Sequence, residues 1–134
     1  MILIPNDNQP ETEELLTRGV SRMLQALGYS ALGQFTLRSG RRADVMGLNR
    51  RGHLIVVEIK RSLADLRADR KWPDYLDYCD AFYFAVPSGF PLEAIPDEAG
   101  LILADRFGAE TLRPWPGGEG RRLHASRRKE ITLR

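Results

Sequence analysis

The sequence predicts a single α/β domain in which helices flank a central mixed sheet. Short apolar runs bounded by Gly, Pro or Asn predict strands, and residues 54–57 are apolar at every position, as in a strand covered on both faces. Stretches with helical periodicity alternate with these runs and give the order αβββαβ, with one or two strands added. A chain of 134 residues is long enough for one such domain.

The first helix is predicted over residues 11–27 and ends at Gly28. Its apolar residues form one stripe: Leu16, Val20, Met23, Leu24 and Leu27. Glu13 falls near the centre line of this stripe at 100° per residue. Either Glu13 faces the interior, or the first turn frays and Glu13 meets the helix dipole in solvent. We favour the solvent position.

A β-hairpin follows a short strand predicted at residues 34–38. The hairpin strands are predicted at residues 43–48 and 53–60, and a polar turn, Asn-Arg-Arg-Gly at 49–52, joins them. The apolar pattern of the second strand breaks at its end, where charged residues appear. The end of this hairpin is therefore the first place to look for a functional site.

Three charged side chains converge at that end. If the turn is centred on Arg51, Asp44 lies opposite Glu58, and a shift of half a residue places it opposite Val57. Glu58 and Lys60 lie two residues apart and project from the same face. Paired carboxylates are oxygen ligands of the kind that Mg²⁺ prefers, and a lysine beside them can orient water or stabilise negative charge. The alternative is a structural Glu58–Lys60 ion pair with an unrelated Asp44.

The second helix is predicted to begin at Ser62, an N-cap with Asp65 at N3, and to be interrupted by Pro73, which opens a fresh turn. Its polar residues are expected to face solvent: Asp65, Arg67, Asp69, Arg70 and Lys71. Trp72 either caps the core where the helical segments meet or stacks on a nucleic-acid base. Beyond it, strands are predicted at residues 81–86 and 101–104, with an edge strand at 111–113.

Charge is balanced overall but uneven along the chain. The formal net charge is +2, residues 7–14 are acidic, and residues 121–134 form a basic tail that either binds phosphates or is merely solvated. We expect a leader at 1–10 and a linker at 114–120. The one cysteine, Cys79, excludes an intramolecular disulfide. No apolar stretch is long enough to span a membrane, and we expect a cytoplasmic protein.

Four sequence blocks together resemble the MmcB family of bacterial DNA repair proteins: GRRADV, VVEIKRS, ADRKWPDYLDYCD and GLILAD. The spacing of Asp44 from Glu58-Ile59-Lys60 is similar to the core of the PD-(D/E)XK nuclease superfamily. The similarity extends over residues 18–130, with Ala43 where the superfamily name has proline. The resemblance implies the restriction-endonuclease-like fold and a role in DNA repair.

The same resemblance implies a metal-dependent deoxyribonuclease that cleaves DNA phosphodiesters. Asp44 and Glu58 would bind Mg²⁺ or Mn²⁺, and Lys60 would position or activate the attacking water. DNA would be contacted by Arg41, Arg42, Arg61, Lys71 and Trp72. Many superfamily members supply a further carboxylate from the first helix, which would be Glu13, or a polar residue from the helix after Lys60.

Two other functions stay open. A nuclease fold that has lost activity could serve as a DNA-binding or repair-complex assembly module. An interaction module independent of nucleic acid could instead present Trp72, Tyr75 and Phe90 to other repair proteins. The intact combination of Asp44, Glu58 and Lys60 favours the enzyme.

Overall fold

In the computed structural model, residues 11–36, 40 and 42–117 are described, and they form a six-stranded mixed sheet with strand order β1-β2-β3-β4-β5-β6. Pairing is antiparallel for β1–β2, β2–β3 and β5–β6, and parallel for β3–β4 and β4–β5. The strands are β1 Ser30–Thr36, β2 Arg42–Leu48, β3 Leu54–Ile59, β4 Ala81–Val86, β5 Gly100–Ala104 and β6 Ala109–Arg113.

Helices cover this sheet and complete the predicted order. They are α1 Glu13–Ala26, α2 Leu63–Ala68, and two 3₁₀ helices, Trp72–Tyr78 and Leu92–Ala94. The α/β class, the mixed sheet and the αβββαβ order are confirmed, with two strands added after β4. Among the described residues, none of the helices combines the length and apolar character needed to cross a bilayer.

Two boundaries differ from the sequence prediction. β1 begins at Ser30 and not at residue 34, because Gly28, with φ of +93°, turns the chain back directly after α1. Its first residues then pair with β2, and Ser30 lies opposite Leu48. The second helix ends at Ala68, so the connection to the 3₁₀ helix begins earlier than Pro73 alone predicts.

The core has two layers, one on each face of the sheet. On one face, α1 packs its buried stripe against alternate residues of β2, β3 and β5, with Leu16, Val20 and Leu24 at most 1% exposed. On the other, α2 and the 3₁₀ helix Trp72–Tyr78 cover an aromatic cluster that includes Phe82 and Phe84. All six residues of β3 are buried, as predicted for a central strand.

Asp80 fixes the start of β3 against β4. Its carboxylate accepts a hydrogen bond from the Leu54 N–H at 2.8 Å, and its own N–H donates to the Leu54 carbonyl at 2.8 Å. Asp80 is 5% exposed, and its burial is stabilised by these bonds. The connection between the two parallel strands is therefore closed by a specific pair of contacts.

The residues that directly follow β6, up to residue 117, stay on the domain. In the part of the expected 114–120 linker that is described, Trp115 packs against both core layers, and its backbone N–H donates to the Tyr83 hydroxyl at 3.2 Å. The leader at 1–10 and the basic tail at 121–134 lie outside the described residues.

Candidate active site

The register of the hairpin places two carboxylates side by side. Val45 pairs with Val57 and Met46 with Val56, so the hairpin is centred on Arg51 and Asp44 lies opposite Glu58. The first of the two registers considered from the sequence is therefore correct. The Asp44 N–H donates to Glu58 Oε2 at 3.3 Å, which joins the two strands at this point.

Glu58 is buried and Asp44 is partly buried. Glu58 is 5% exposed, and Asp44 Oδ2 accepts a 2.8 Å hydrogen bond from the Ile59 N–H. Burial, followed by the hydrogen bond to Glu58 and the negative charge of Glu58, raises the pKa of Asp44 to about 7. The Ile59 N–H acts in the opposite direction, because it stabilises the ionised form. The two acids therefore resist being ionised together in the metal-free protein.

Glu13 joins this pair from α1, and the solvent position favoured from the sequence is wrong. Hydrogen bonding to Asp44, followed by burial, raises the pKa of the Glu13 carboxyl. The first turn does not fray, because the Thr12 hydroxyl accepts a hydrogen bond from the Leu15 N–H at 3.1 Å. The Glu11 carboxylate is also paired with Arg106 at 3.1 Å, which fixes the chain just before the helix.

Lys60 is bound to an acid outside the carboxylate pair. Its ammonium Nζ lies 2.8 Å from Asp69 Oδ2, and both side chains are largely buried, at 13% and 16% exposed. The expectation that Asp69 faces solvent is therefore wrong. Asp69 is the C-cap of α2 with φ of −91° and ψ of 99°, so its side chain no longer follows the helical spacing. The Lys60 N–H donates to the Ala85 carbonyl at 3.0 Å and holds the residue at the end of β3.

Tyr75 closes the site from the 3₁₀ helix. The phenol is 5% exposed, and its hydroxyl donates to the Arg42 carbonyl at 2.9 Å. Its pKa is raised above the ordinary range, first by burial and then by hydrogen bonding to the Glu58 carboxylate and by its charge. Tyr75 is therefore a neutral hydroxyl beside the buried Glu58 carboxylate.

The residues proposed to contact DNA have varied surroundings. Arg42 and Lys71 are exposed, whereas Arg41 lies outside the described residues. Arg61 is exposed, yet its Nε donates to the Glu11 carbonyl at 3.1 Å. The Trp72 ring stacks on Phe82, with centroids 5.4 Å apart and planes at 21°, which favours the core-capping alternative. Its contact with DNA, like those of the basic residues, stays a prediction.

The donor atoms suit a hard divalent cation. Asp44 and Glu58 offer carboxylate oxygens, and a cation bound between two adjacent acids stabilises both in the ionised form. In the described part of the chain, no three His, Cys, Asp or Glu side chains are arranged to hold a metal ion together. A cation here would therefore depend on Asp44 and Glu58, with water or substrate oxygens as its remaining ligands, the arrangement that Mg²⁺ commonly adopts.

A family model described as DNA repair protein MmcB-like matches residues 3–134. The chain belongs to this family. The resemblance found in the sequence blocks is thereby confirmed, and a role in DNA repair is supported at the level of the family. None of the curated proteins matches the chain.

Two solved structures are similar to it. A protein of unknown function from Silicibacter pomeroyi is 42% identical, covers 95% of this chain and 84% of its own, and superposes with a TM-score of 0.85. A repair endonuclease from Pyrococcus abyssi is 22% identical over 60% of this chain and 39% of its own, with a TM-score of 0.42.

Proposed function

We propose that this protein is a Mg²⁺- or Mn²⁺-dependent deoxyribonuclease that acts in DNA repair. The observation that carries the proposal is the direct opposition of Asp44 and Glu58 across β2 and β3, with Glu58 buried and Asp44 partly buried. Membership in a DNA repair family supports DNA as the substrate.

The free energy of the site supports a cation in it. Two carboxylates in contact repel each other, and burial adds a desolvation cost for each ionised group. Lys60, the positive side chain on the same face of β3, is already paired with Asp69. When Asp44 and Glu58 both ionise, a divalent cation from solution can balance their charge with oxygen ligands.

The roles of the residues follow from this arrangement. Asp44 and Glu58 would hold Mg²⁺ or Mn²⁺, which when bound polarises a phosphoryl oxygen and lowers the pKa of water. The Ile59 N–H orients Asp44, and Tyr75 places a neutral hydroxyl beside Glu58. Lys60 would orient the attacking water and stabilise the charge that develops on phosphate oxygens. Arg41, Arg42, Arg61 and Lys71 would bind the DNA backbone.

The test compares nicking of single-stranded, flapped and duplex DNA in Mg²⁺ or Mn²⁺ by wild type and three variants. Asp44→Asn and Glu58→Gln should remove cleavage while leaving the domain folded. Lys60→Ala should keep Mn²⁺ binding and lose turnover, because its role is positioning and not ligation. Asp97→Asn, an exposed charge removed far from the hairpin end, is the matched control and should cleave like wild type.

A catalytically silent DNA-binding module is the second candidate. The observation that favours it is the 2.8 Å pairing of Lys60 with Asp69, which occupies the amine that the nuclease mechanism needs. If wild type binds DNA but cuts none of the three substrates, and Asp44→Asn binds equally well, this module replaces the nuclease.

A further inference from the structure

Asp69 is an acid near the site to which the mechanism above gives no role. It lies beyond the end of α2, and its side chain is held at both oxygens. Oδ1 accepts a hydrogen bond from the Lys71 N–H at 3.0 Å, and Oδ2 pairs with Lys60 Nζ at 2.8 Å. A carboxylate with two fixed partners and little solvent exposure has one orientation, so the position of the Lys60 ammonium is also fixed.

The neighbouring charges show what this pairing prevents. Lys60 lies two residues after Glu58 at the end of β3 and projects from the same face, and Asp44 lies opposite Glu58. An ammonium released from Asp69 therefore has acidic partners within reach at the site. A lysine paired with one of them would neutralise charge that would otherwise attract a cation, and it would repel a divalent ion at close range.

We propose that Asp69 is a positioning residue that sequesters the Lys60 ammonium and so keeps the Asp44–Glu58 pair available to a divalent cation. This inference rests on the proposed function, and it names the residue that regulates metal occupancy of that site. Asp69 itself touches neither metal nor substrate; it acts through Lys60. Two separate ion pairs thus define the site: the Asp44 and Glu58 carboxylates with the cation, and Lys60 with Asp69.

The experiment measures Mn²⁺ affinity by calorimetry for wild type, Asp69→Asn, Lys60→Met and the double variant. Asparagine keeps an oxygen for the Lys71 N–H, so the α2 terminus should stay folded. Asp69→Asn should weaken Mn²⁺ binding by about tenfold, because an unpaired ammonium competes with the ion. Lys60→Met should bind at least as well as wild type, and the double variant should regain that affinity. Asp97→Asn is the control for loss of one negative charge.

A second measurement locates the lysine directly. In metal-free protein, the ¹⁵N signal of the Lys60 ammonium should shift in Asp69→Asn and not in Asp97→Asn. Equal Mn²⁺ affinity of wild type and Asp69→Asn, or an unchanged ammonium signal, would overturn the inference and leave the nuclease proposal standing. If the variants show the expected differences in Mn²⁺ affinity and wild type binds Mn²⁺ but cuts no DNA, the nuclease proposal is overturned and the role of Asp69 stands. A wild type that binds no Mn²⁺ would overturn both.

Discussion

Replacing Asp44 with asparagine should make the metal-free protein more stable at neutral and alkaline pH. The pKa of Asp44 is raised from its ordinary value of 3.8 to about 7 in the folded protein. The folded state therefore keeps this proton longer than the unfolded chain does. The stability that the proton provides is fully present below about pH 4 and is lost as the pH rises through about 7.

The size of the effect follows from the two pKa values. A difference of about three pH units at about 1.4 kcal/mol each gives an upper limit of about 4 kcal/mol for ionising Asp44 in the fold. Because Asp44 keeps some solvent contact, we expect the gain in Asp44→Asn at pH 8 to be about 2 to 4 kcal/mol. At pH 4 the two proteins should unfold with similar free energies, and at pH 5 the difference should be less than half of that at pH 8.

The assay is urea unfolding of wild type and Asp44→Asn at pH 5 and pH 8, with chelator and then with Mg²⁺. The asparagine carbonyl still accepts the Ile59 N–H, so loss of that bond does not enter the comparison. Mg²⁺ should stabilise wild type by mass action and leave the variant unchanged. An Asp44→Asn protein that is less stable than wild type at pH 8, or a difference that does not vary with pH, would refute this account of the site.

Three further outcomes are expected. Gly19→Ala should lower the free energy of unfolding in urea titrations by more than about 2 kcal/mol, because the added Cβ would collide with backbone carbonyls of the β5–β6 turn. Gly108→Ala is the control and should be close to neutral, because its Cβ meets open space. Replacing Arg41 and Arg42 with alanine should reduce the salt dependence of DNA affinity by about two counterions, and equal slopes would remove these arginines from the interface. Trp72→Ala should destabilise the domain by about 3 to 5 kcal/mol through loss of its aromatic contacts in the core; a near-neutral value by thermal unfolding would contradict a core-capping role.

The strands and the chemical nature of the site could be predicted from the sequence, but the register of the hairpin could not. Both registers satisfied the hydrophobic pattern at its end. The turn decides between them: the Asn49 side chain accepts hydrogen bonds from the N–H groups of Arg51, at 3.0 Å, and His53, at 2.9 Å, and Gly52 adopts φ of +78°. Those contacts depend on the folded turn, and sequence spacing alone does not fix them.

The partners of Glu13 and Asp69 were missed for a related reason. Helical spacing placed Glu13 near the buried stripe, but whether the first turn frays depends on the Thr12 cap and on the distant pairing of Glu11 with Arg106. For Asp69, the helical wheel was extended one residue past the end of α2, where it no longer applies. At helix termini, a periodic sequence pattern is least able to predict where a side chain points.

The double hydrogen bond between Asp80 and Leu54 has a consequence for how reliably the site forms. Side chains alternate along β3, so a slip of one residue against β4 would turn Glu58 and Lys60 to the α1 face and Ile59 to the other. An almost wholly apolar strand offers little resistance to such a slip, since either face would bury Val and Ile. Asp80 supplies the missing preference, because only the native alignment gives its buried carboxylate the Leu54 N–H. Asp80, at the opposite end of β3 from the site, thus favours the strand alignment that places Glu58 and Lys60 on the correct face.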